Sequence, residues 1–269
     1  MNMDVLILGV IQGLTEFLPV SSSGHLALAQ IFFGMEMPPL SYDLVLHVAT
    51  ALATLIFFMR DILEIAFEWF GGFVNEEKRR SRGWPTGWAV IVGTVITGAI
   101  GIMVKDYAEL AAQNSLLVGC GLMFTGVVLI ASRFIKSGVG VVNVKDGVFV
   151  GLAQCVALMP GISRSGMTIM MGQSIGLDKS QAFRFSFLLS LPAIFGATLL
   201  QAMETGGWES FVSSLPAQWY IGAATAFATG LLALVVLKKL VIASKWWGFG
   251  VYCFLLGGAA VFTTFLGVW

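Results

Sequence analysis

Gly9-Val-Ile-Gln-Gly-Leu-Thr-Glu-Phe-Leu-Pro-Val-Ser-Ser-Ser-Gly24 and Gly151-Leu-Ala-Gln-Cys-Val-Ala-Leu-Met-Pro-Gly-Ile-Ser-Arg-Ser-Gly166 align without a gap, 142 residues apart. Gly9 falls on Gly151, Gln12 on Gln154, Ser21 on Ser163, Ser23 on Ser165, Gly24 on Gly166 and, further on, Gly34 on Gly176. In each copy a short apolar run meets a proline and a serine-bearing break, then resumes. The runs 4–18 and 24–34, and their counterparts 147–159 and 166–176, are too short to cross a bilayer, which takes about 20 apolar residues. A short helix, a polar break and a second short helix describe a re-entrant hairpin. Such a break is tolerated at membrane depth only when it is buried in protein or lines a wet cavity.

The rest of the chain supplies that membrane setting. It is 57% hydrophobic and 11% charged, with a mean hydropathy of +0.88, whereas soluble domains carry about 25% charged residues. The first apolar run leads straight into the first polar break, so no cleavable signal is expected. Cys120, Cys155 and Cys253 lie in apolar runs and are read as small packing residues, not as a disulfide framework or metal cluster. Six stretches are long enough to span: 42–60, 86–104, 115–134, 182–202, 217–237 and 247–267. With both hairpins re-entrant, the segments 61–85, 135–146, 177–181 and 238–246 share one face, and that face, counting the helix ends with Arg60, Arg133 and Arg184, holds 13 of the 15 lysines and arginines. Lys105 stands alone opposite, and Arg164 lies inside the second hairpin. The positive-inside rule places the basic face in the cytoplasm and both termini outside.

Each half is then one hairpin plus three spans, and an odd number of spans inverts the second half. The expected fold is an all-α polytopic membrane protein with six transmembrane helices and two re-entrant helix-loop-helix hairpins. It forms a single integral membrane domain over residues 1–269, with inverted-topology repeats of approximately 1–135 and 146–269. Inverted repeats with discontinuous helices meeting at the midplane are common in transporters, so transport stands open beside catalysis.

Glu16 and Arg164 are the charges most clearly stranded in apolar surroundings. An intramembrane charge costs at least ~2.5 kcal/mol and marks function by default; a buried structural ion pair is the plain alternative. Arginine presents a planar fork suited to phosphate oxygens, and each break opens a helix whose N-terminus favours anions. A carboxylate beside a phosphate site needs a cation or a proton to handle. Glu16 and Gln12, one helical turn apart, offer oxygen ligands for Mg²⁺ or Ca²⁺. Ser21, Ser22 and Ser23 stand where serine would cap the second half-helix, yet a cap needs at most two of them. His25, three residues after Ser22, is either the base for that hydroxyl or a hydrogen-bonded packing residue. His47, with Asp43 one turn before it, has a weaker claim. Thr168, four residues after Arg164, would share its helix face and add a phosphate contact.

Gln12-Gly-Leu-Thr-Glu16 with Phe17-Leu-Pro-Val-Ser-Ser-Ser-Gly-His25, together with Pro160-Gly-Ile-Ser-Arg-Ser-Gly-Met-Thr168, resembles the undecaprenyl-diphosphate phosphatase family of bacterial bacitracin-resistance membrane proteins. The resemblance extends over essentially the whole chain. It implies removal of the terminal phosphate of undecaprenyl diphosphate, recycling the carrier for cell-wall polymers, in the bacterial inner membrane with a site opening to the periplasm. It also implies dependence on a divalent cation. Gln12 and Glu16 match the family's acidic motif, Ser22 its proposed nucleophile and His25 its histidine. Arg164 matches the arginine of the second motif, flanked by Ser163 and Thr168. One departure is Ile96, in Gly93-Thr-Val-Ile-Thr-Gly98, where the family often carries a proline. A second lipid-phosphatase superfamily shares the Ser-Gly-His run but needs a histidine where this chain has Met170.

The mechanism expected on these grounds is cation-assisted phosphoryl transfer. Glu16 and Gln12 hold the metal; Ser22 attacks with His25 as base; Arg164, with Ser21, Ser23, Ser163, Ser165 and Thr168, binds phosphate. A cation-bound water in place of Ser22 is left open. The expected partners are a polyprenyl diphosphate lipid and the surrounding membrane lipids, with no nucleic acid; a homodimer is left open. The competing function is a transporter or flippase of a lipid-linked phosphate, which would move its substrate without releasing phosphate.

Overall fold

The structure is a computed structural model that describes residues 3–33, 40–136 and 138–267; Gly34, the last matched position of the first copy, lies outside them. The described residues form α-helices and one short 3-10 turn, with no strand among them.

Both interrupted segments of the repeat are present as helix pairs. The first is α1 (Met3–Phe17) and α2 (Ser22–Phe33). After α3 (Leu40–Phe57) come α4 (Met59–Gly72), α5 (Glu76–Arg79), α6 (Gly83–Ala112) and α7 (Ser115–Ala131). The second pair is α8 (Val144–Val156) and α9 (Arg164–Ser174). The chain then continues through α10 (Lys179–Glu204), α11 (Trp208–Ser213), α12 (Trp219–Ile242) and α13 (Gly248–Phe265).

The breaks have local causes. Pro19 and Pro160 cannot extend a helix, for want of an N–H and for lack of ring clearance. Gly161 turns the second break with φ +84°, and Ser21 turns the first with φ +68°. Each resumed helix is capped by the serine just before it: the Ser21 hydroxyl accepts from Gly24 N at 3.3 Å, and the Ser163 hydroxyl from Gly166 N at 3.2 Å. That cap makes Ser22 and Arg164 the first helical residues, two positions earlier than the sequence places the second arms.

Five helices, α6, α7, α10, α12 and α13, are long and apolar enough to cross a membrane. The sixth expected span is different. α3 stops at Phe57, and α4 leaves it bent by 75°. α4 carries Arg60, Asp61, Glu64 and Glu68 beside exposed Leu63, Phe67 and Phe70. Continued straight, it would bring those charges towards lipid; bent, it is an amphipathic helix with a wet face and a greasy one. α6 is continuous over 30 residues, so Ile96 where the family often has proline leaves an unbroken helix.

Packing crosses between the halves. α1 lies against α12 and α8 against α6, while α7 lies against α13 and α3 against α10. Glycines allow the closest of these approaches. A Cβ on Gly9 would stand 2.5 Å from the Gly222 carbonyl, and one on Gly151 2.8 Å from Gly93 Cα. Small residues serve this purpose wherever helices pack in lipid. At one end of the bundle Arg184 of α10 pairs with Asp61 of α4 at 3.0 Å. At the other, Lys105 of α6 pairs with Glu204 of α10.

Candidate active site

The two breaks meet. A Cβ on Gly24, in the first turn of α2, would stand 3.1 Å from Gly161 Cα. The second break is held from α7, where the Thr125 hydroxyl donates to the Gly161 carbonyl at 2.9 Å and accepts from Ser163 N at 3.0 Å. Between the breaks lies a cavity of about 260 Å³. Glu16, Ser21, Ser22 and Ser23 border it from the first break, and Ser163 and Arg164 from the second. α3 adds Leu44 and His47, and α10 adds Ser190 and Ile194.

Glu16, 7% exposed, is the centre of the polar network. One carboxylate oxygen, Oε1, pairs with Arg164 Nη2. The other, Oε2, accepts from Ser22 Oγ at 2.6 Å and from Gln12 Nε2 at 3.0 Å, with His47 Nε2 3.4 Å away. A single buried carboxylate thus links both breaks and α3. Such short charge-assisted hydrogen bonds are the strong ones.

Two polar atoms here have no protein partner. Arg164 Nη1 is buried and unpaired although the residue borders the cavity, so this donor is free for an anion. Gln12 Oε1 is likewise buried and unpaired on the side chain that touches Glu16. A carboxylate, an orphaned amide oxygen and a serine hydroxyl are the hard donors that Mg²⁺ or Ca²⁺ takes. The residues therefore fit a divalent cation. Among the described residues no group of three or more His, Cys, Asp or Glu side chains is arranged to hold a metal, so most ligands of such an ion would have to come from phosphate and water.

Several expected placements are corrected. His25 does not reach Ser22. Its Nδ1 lies 2.8 Å from the Ser21 carbonyl and its Nε2 2.7 Å from the Tyr252 hydroxyl. A carbonyl can only accept, so Nδ1 carries the hydrogen and the neutral ring's one lone pair takes the Tyr252 O–H. No lone pair is left for a nucleophile, and the serine's hydrogen bond goes to Glu16 instead. Thr168 is turned away from the cavity, donating to the Arg164 carbonyl at 2.8 Å and meeting Ser186 Oγ at 2.5 Å. Ser165 is buried beside Ser163 at 3.3 Å and does not border the cavity.

Other residues gain weight. His47, given a weaker claim from sequence, faces Glu16, with its Nδ1 donating to the Asp43 carbonyl at 2.7 Å. Thr97 and Gln154 also border the cavity, joined by a 3.1 Å hydrogen bond from Gln154 Nε2. Gln154 was visible as the counterpart of Gln12, but Thr97 and Ser190 carry no signal in an apolar run. In the first break, Ser21 holds a left-handed conformation that costs a non-glycine residue roughly 1–3 kcal/mol.

Comparison with known proteins identifies the family. The model of the family described as bacitracin resistance protein BacA matches residues 5–259. A protein of Desulfosudis oleivorans named undecaprenyl-diphosphatase is 41% identical over 95% of this chain and 96% of its own length. One of the same name from a Mycobacterium species is 38% identical over 99% of this chain and 98% of its own length. Undecaprenyl-diphosphatase 1 of Shouchella clausii is 36% identical over 94% and 93%.

Proposed function

The chain belongs to the bacitracin resistance protein BacA family, and from that premise we propose that the seam between its two breaks is where undecaprenyl diphosphate loses its terminal phosphate. The protein is a membrane phosphatase, an undecaprenyl-diphosphatase, and its product is undecaprenyl phosphate. The observation that carries the assignment of the site is the Ser22–Glu16–Arg164 array: a hydroxyl hydrogen-bonded to a carboxylate at 2.6 Å, next to a guanidinium with one buried nitrogen unpaired.

In this reading the diphosphate enters the cavity with its terminal phosphoryl group against Arg164. The free Nη1 and the N-termini of α2 and α9 face the charge that builds on the phosphoryl oxygens, the interaction on which phosphoryl transfer chiefly depends. The Ser22 oxygen attacks phosphorus and its proton passes to Glu16. The bond to the bridging oxygen breaks, and undecaprenyl phosphate leaves. Water then releases phosphate from Ser22. Glu16 and Gln12 would hold a divalent cation, which supplies neutralisation of the diphosphate charge. The isoprenoid tail leaves past the apolar wall of Leu44, Leu158, Ile162 and Ile194.

The membrane topology belongs to the same proposal: six spans, with α3 and α4 as one bent crossing, and α1–α2 and α8–α9 as re-entrant hairpins from opposite faces. The cross-packing of α1 on α12 and α8 on α6 supports an inverted repeat over approximately 1–135 and 146–269, because it is the exchange that two equivalent halves would make. The Arg184–Asp61 pair supports a shared basic face for 61–85 and the start of α10. By the positive-inside rule that face is cytoplasmic, in the bacterial inner membrane, and the seam opens to the periplasm.

Phosphate release from undecaprenyl diphosphate by the purified protein, with and without chelator, tests the activity and the cation together. Release that is complete in chelator would remove the cation from the mechanism. Movement of substrate across sealed vesicles with no phosphate release would overturn the reading altogether.

A further inference from the structure

Ser21 is one of three non-glycine residues with positive φ among the described residues, at +68°, and it immediately precedes Ser22. Its carbonyl oxygen accepts two hydrogen bonds from one residue, His25: from the backbone N–H at 3.1 Å and from ring Nδ1 at 2.8 Å. The ring is held in turn from the far end of the chain. Tyr252 of α13 donates its hydroxyl to Nε2 at 2.7 Å, and the two rings stack with centroids 5.6 Å apart at 17°. α13 touches the break a second time through Cys253, 3.8 Å from the Pro19 carbonyl.

The second break is a control built into the same molecule. Met167 stands at the position equivalent to His25, so no ring reaches back to the Ser163 carbonyl. Ser163 there has φ −74°, an ordinary extended conformation, and the left-handed residue of that break is Gly161 at φ +84°. Ser163 makes the same cap as Ser21 and the same 3.3 Å contact to the serine two residues on. Capping alone therefore does not require the capping serine itself to be left-handed. A left-handed capping serine and the histidine–tyrosine clamp occur together, in the break that carries the hydroxyl bonded to Glu16.

We propose that His25 and Tyr252 are a positioning pair: they hold the Ser21 carbonyl and thereby aim the Ser22 hydroxyl along its 2.6 Å line to Glu16. Neither takes a proton from the nucleophile, and Tyr252, 47% exposed, does not border the cavity. The pair acts through Ser22, and so the inference rests on the reading of Ser22 as the attacking group. A tyrosine merely anchoring α13 at the membrane interface would stack on His25 without this consequence.

The test is kcat and KM for phosphate release from undecaprenyl diphosphate by purified full-length variants, each checked for fold by size exclusion and thermal melting. His25→Ala is expected to lower kcat by about tenfold or more, the effect of losing one or two hydrogen bonds, with KM little changed. His25→Asn, whose amide can still donate to the Ser21 carbonyl, is expected to recover most of that loss. Tyr252→Phe keeps the stack and loses the hydroxyl; it is expected to cost several-fold in kcat in the native background and nothing further in His25→Ala, the non-additivity of residues acting in one chain. His25→Asn as inactive as His25→Ala would overturn the proposal in favour of a base, as would Tyr252→Phe adding its full effect in His25→Ala. Ser22→Ala in the same assay separates the two readings. If it stays active, the nucleophile assignment fails and the proposal with it; if it is inactive while His25→Asn is not rescued, the proposal alone fails.

Discussion

The two breaks share a design and differ in what they carry. Both interrupt a short helix at a proline, both cap the next helix with a serine, and both set that serine 3.3 Å from another two residues on. The functional positions, however, have diverged: Glu16 stands opposite Leu158, Ser22 opposite Arg164 and His25 opposite Met167. One break holds the Ser22 hydroxyl and the Glu16 carboxylate, and the other holds the Arg164 guanidinium. Neither can form the site alone, because the carboxylate of one is neutralised by the guanidinium of the other. In the proposed mechanism the matched residues supply the scaffold, and the differences between the copies supply the chemistry.

The largest expected effect comes from breaking that division. Glu16→Gln removes the charge that accepts from Ser22 and pairs with Arg164, and Arg164→Ala removes the proposed donor to the phosphoryl oxygens. Each is expected to lower kcat by about 10²–10³-fold, the scale for losing a preorganised charge-stabilising group, in protein that still elutes as a single folded species. Activity within tenfold of native for either would show that the ion pair is structural.

A smaller effect should separate the two glutamines. Gln12 touches Glu16 and has an orphaned oxygen, whereas Gln154 bonds Thr97 across the cavity. Gln12→Ala is expected to raise the divalent-cation concentration needed for half-maximal activity by at least roughly tenfold, the low end of what losing even a supporting group around a metal costs. Gln154→Ala should leave that concentration unchanged. An identical cation response in the two variants would remove Gln12 from the proposed cation site. The smallest contrast lies in the scaffold, where the copies should behave alike. Gly9→Ala and Gly151→Ala each push a methyl group onto a neighbouring helix backbone, an overpacking that costs about 1–3 kcal/mol. Both are expected to lower the melting temperature by similar amounts, and a silent substitution at either position would contradict the reciprocal packing.

Much of this comparison was legible in the amino-acid order. Proline and serine punctuate the short runs, so the helix pairs could be placed within two or three residues and a cap sought among Ser21, Ser22 and Ser23, while Ser163, read as a phosphate contact, caps the second resumed helix. The stranded charges at Glu16 and Arg164 pointed to each other across the repeat. What could not be read was geometry set by packing. The bend at Phe58 falls inside Leu55-Ile-Phe-Phe-Met59, an apolar run with no proline or glycine to mark it. His25 was three residues from Ser22 and looked like its base; only the fold shows its ring turned to Tyr252, 227 residues away. His47 gained its place through the approach of α3 to α1, which no local pattern encodes. Thr168 had the right spacing to follow Arg164, but Ser186 of α10 takes its hydroxyl.

The most direct test of a divided site is to follow the terminal phosphoryl group itself. Purified protein mixed with undecaprenyl diphosphate labelled in that group, and quenched in acid within one turnover, should carry label on the peptide containing Ser22. Ser22→Ala should carry none and release no phosphate, while Arg164→Ala should show label only at a greatly reduced rate. Phosphate release by Ser22→Ala at a rate near that of the native protein would contradict the account.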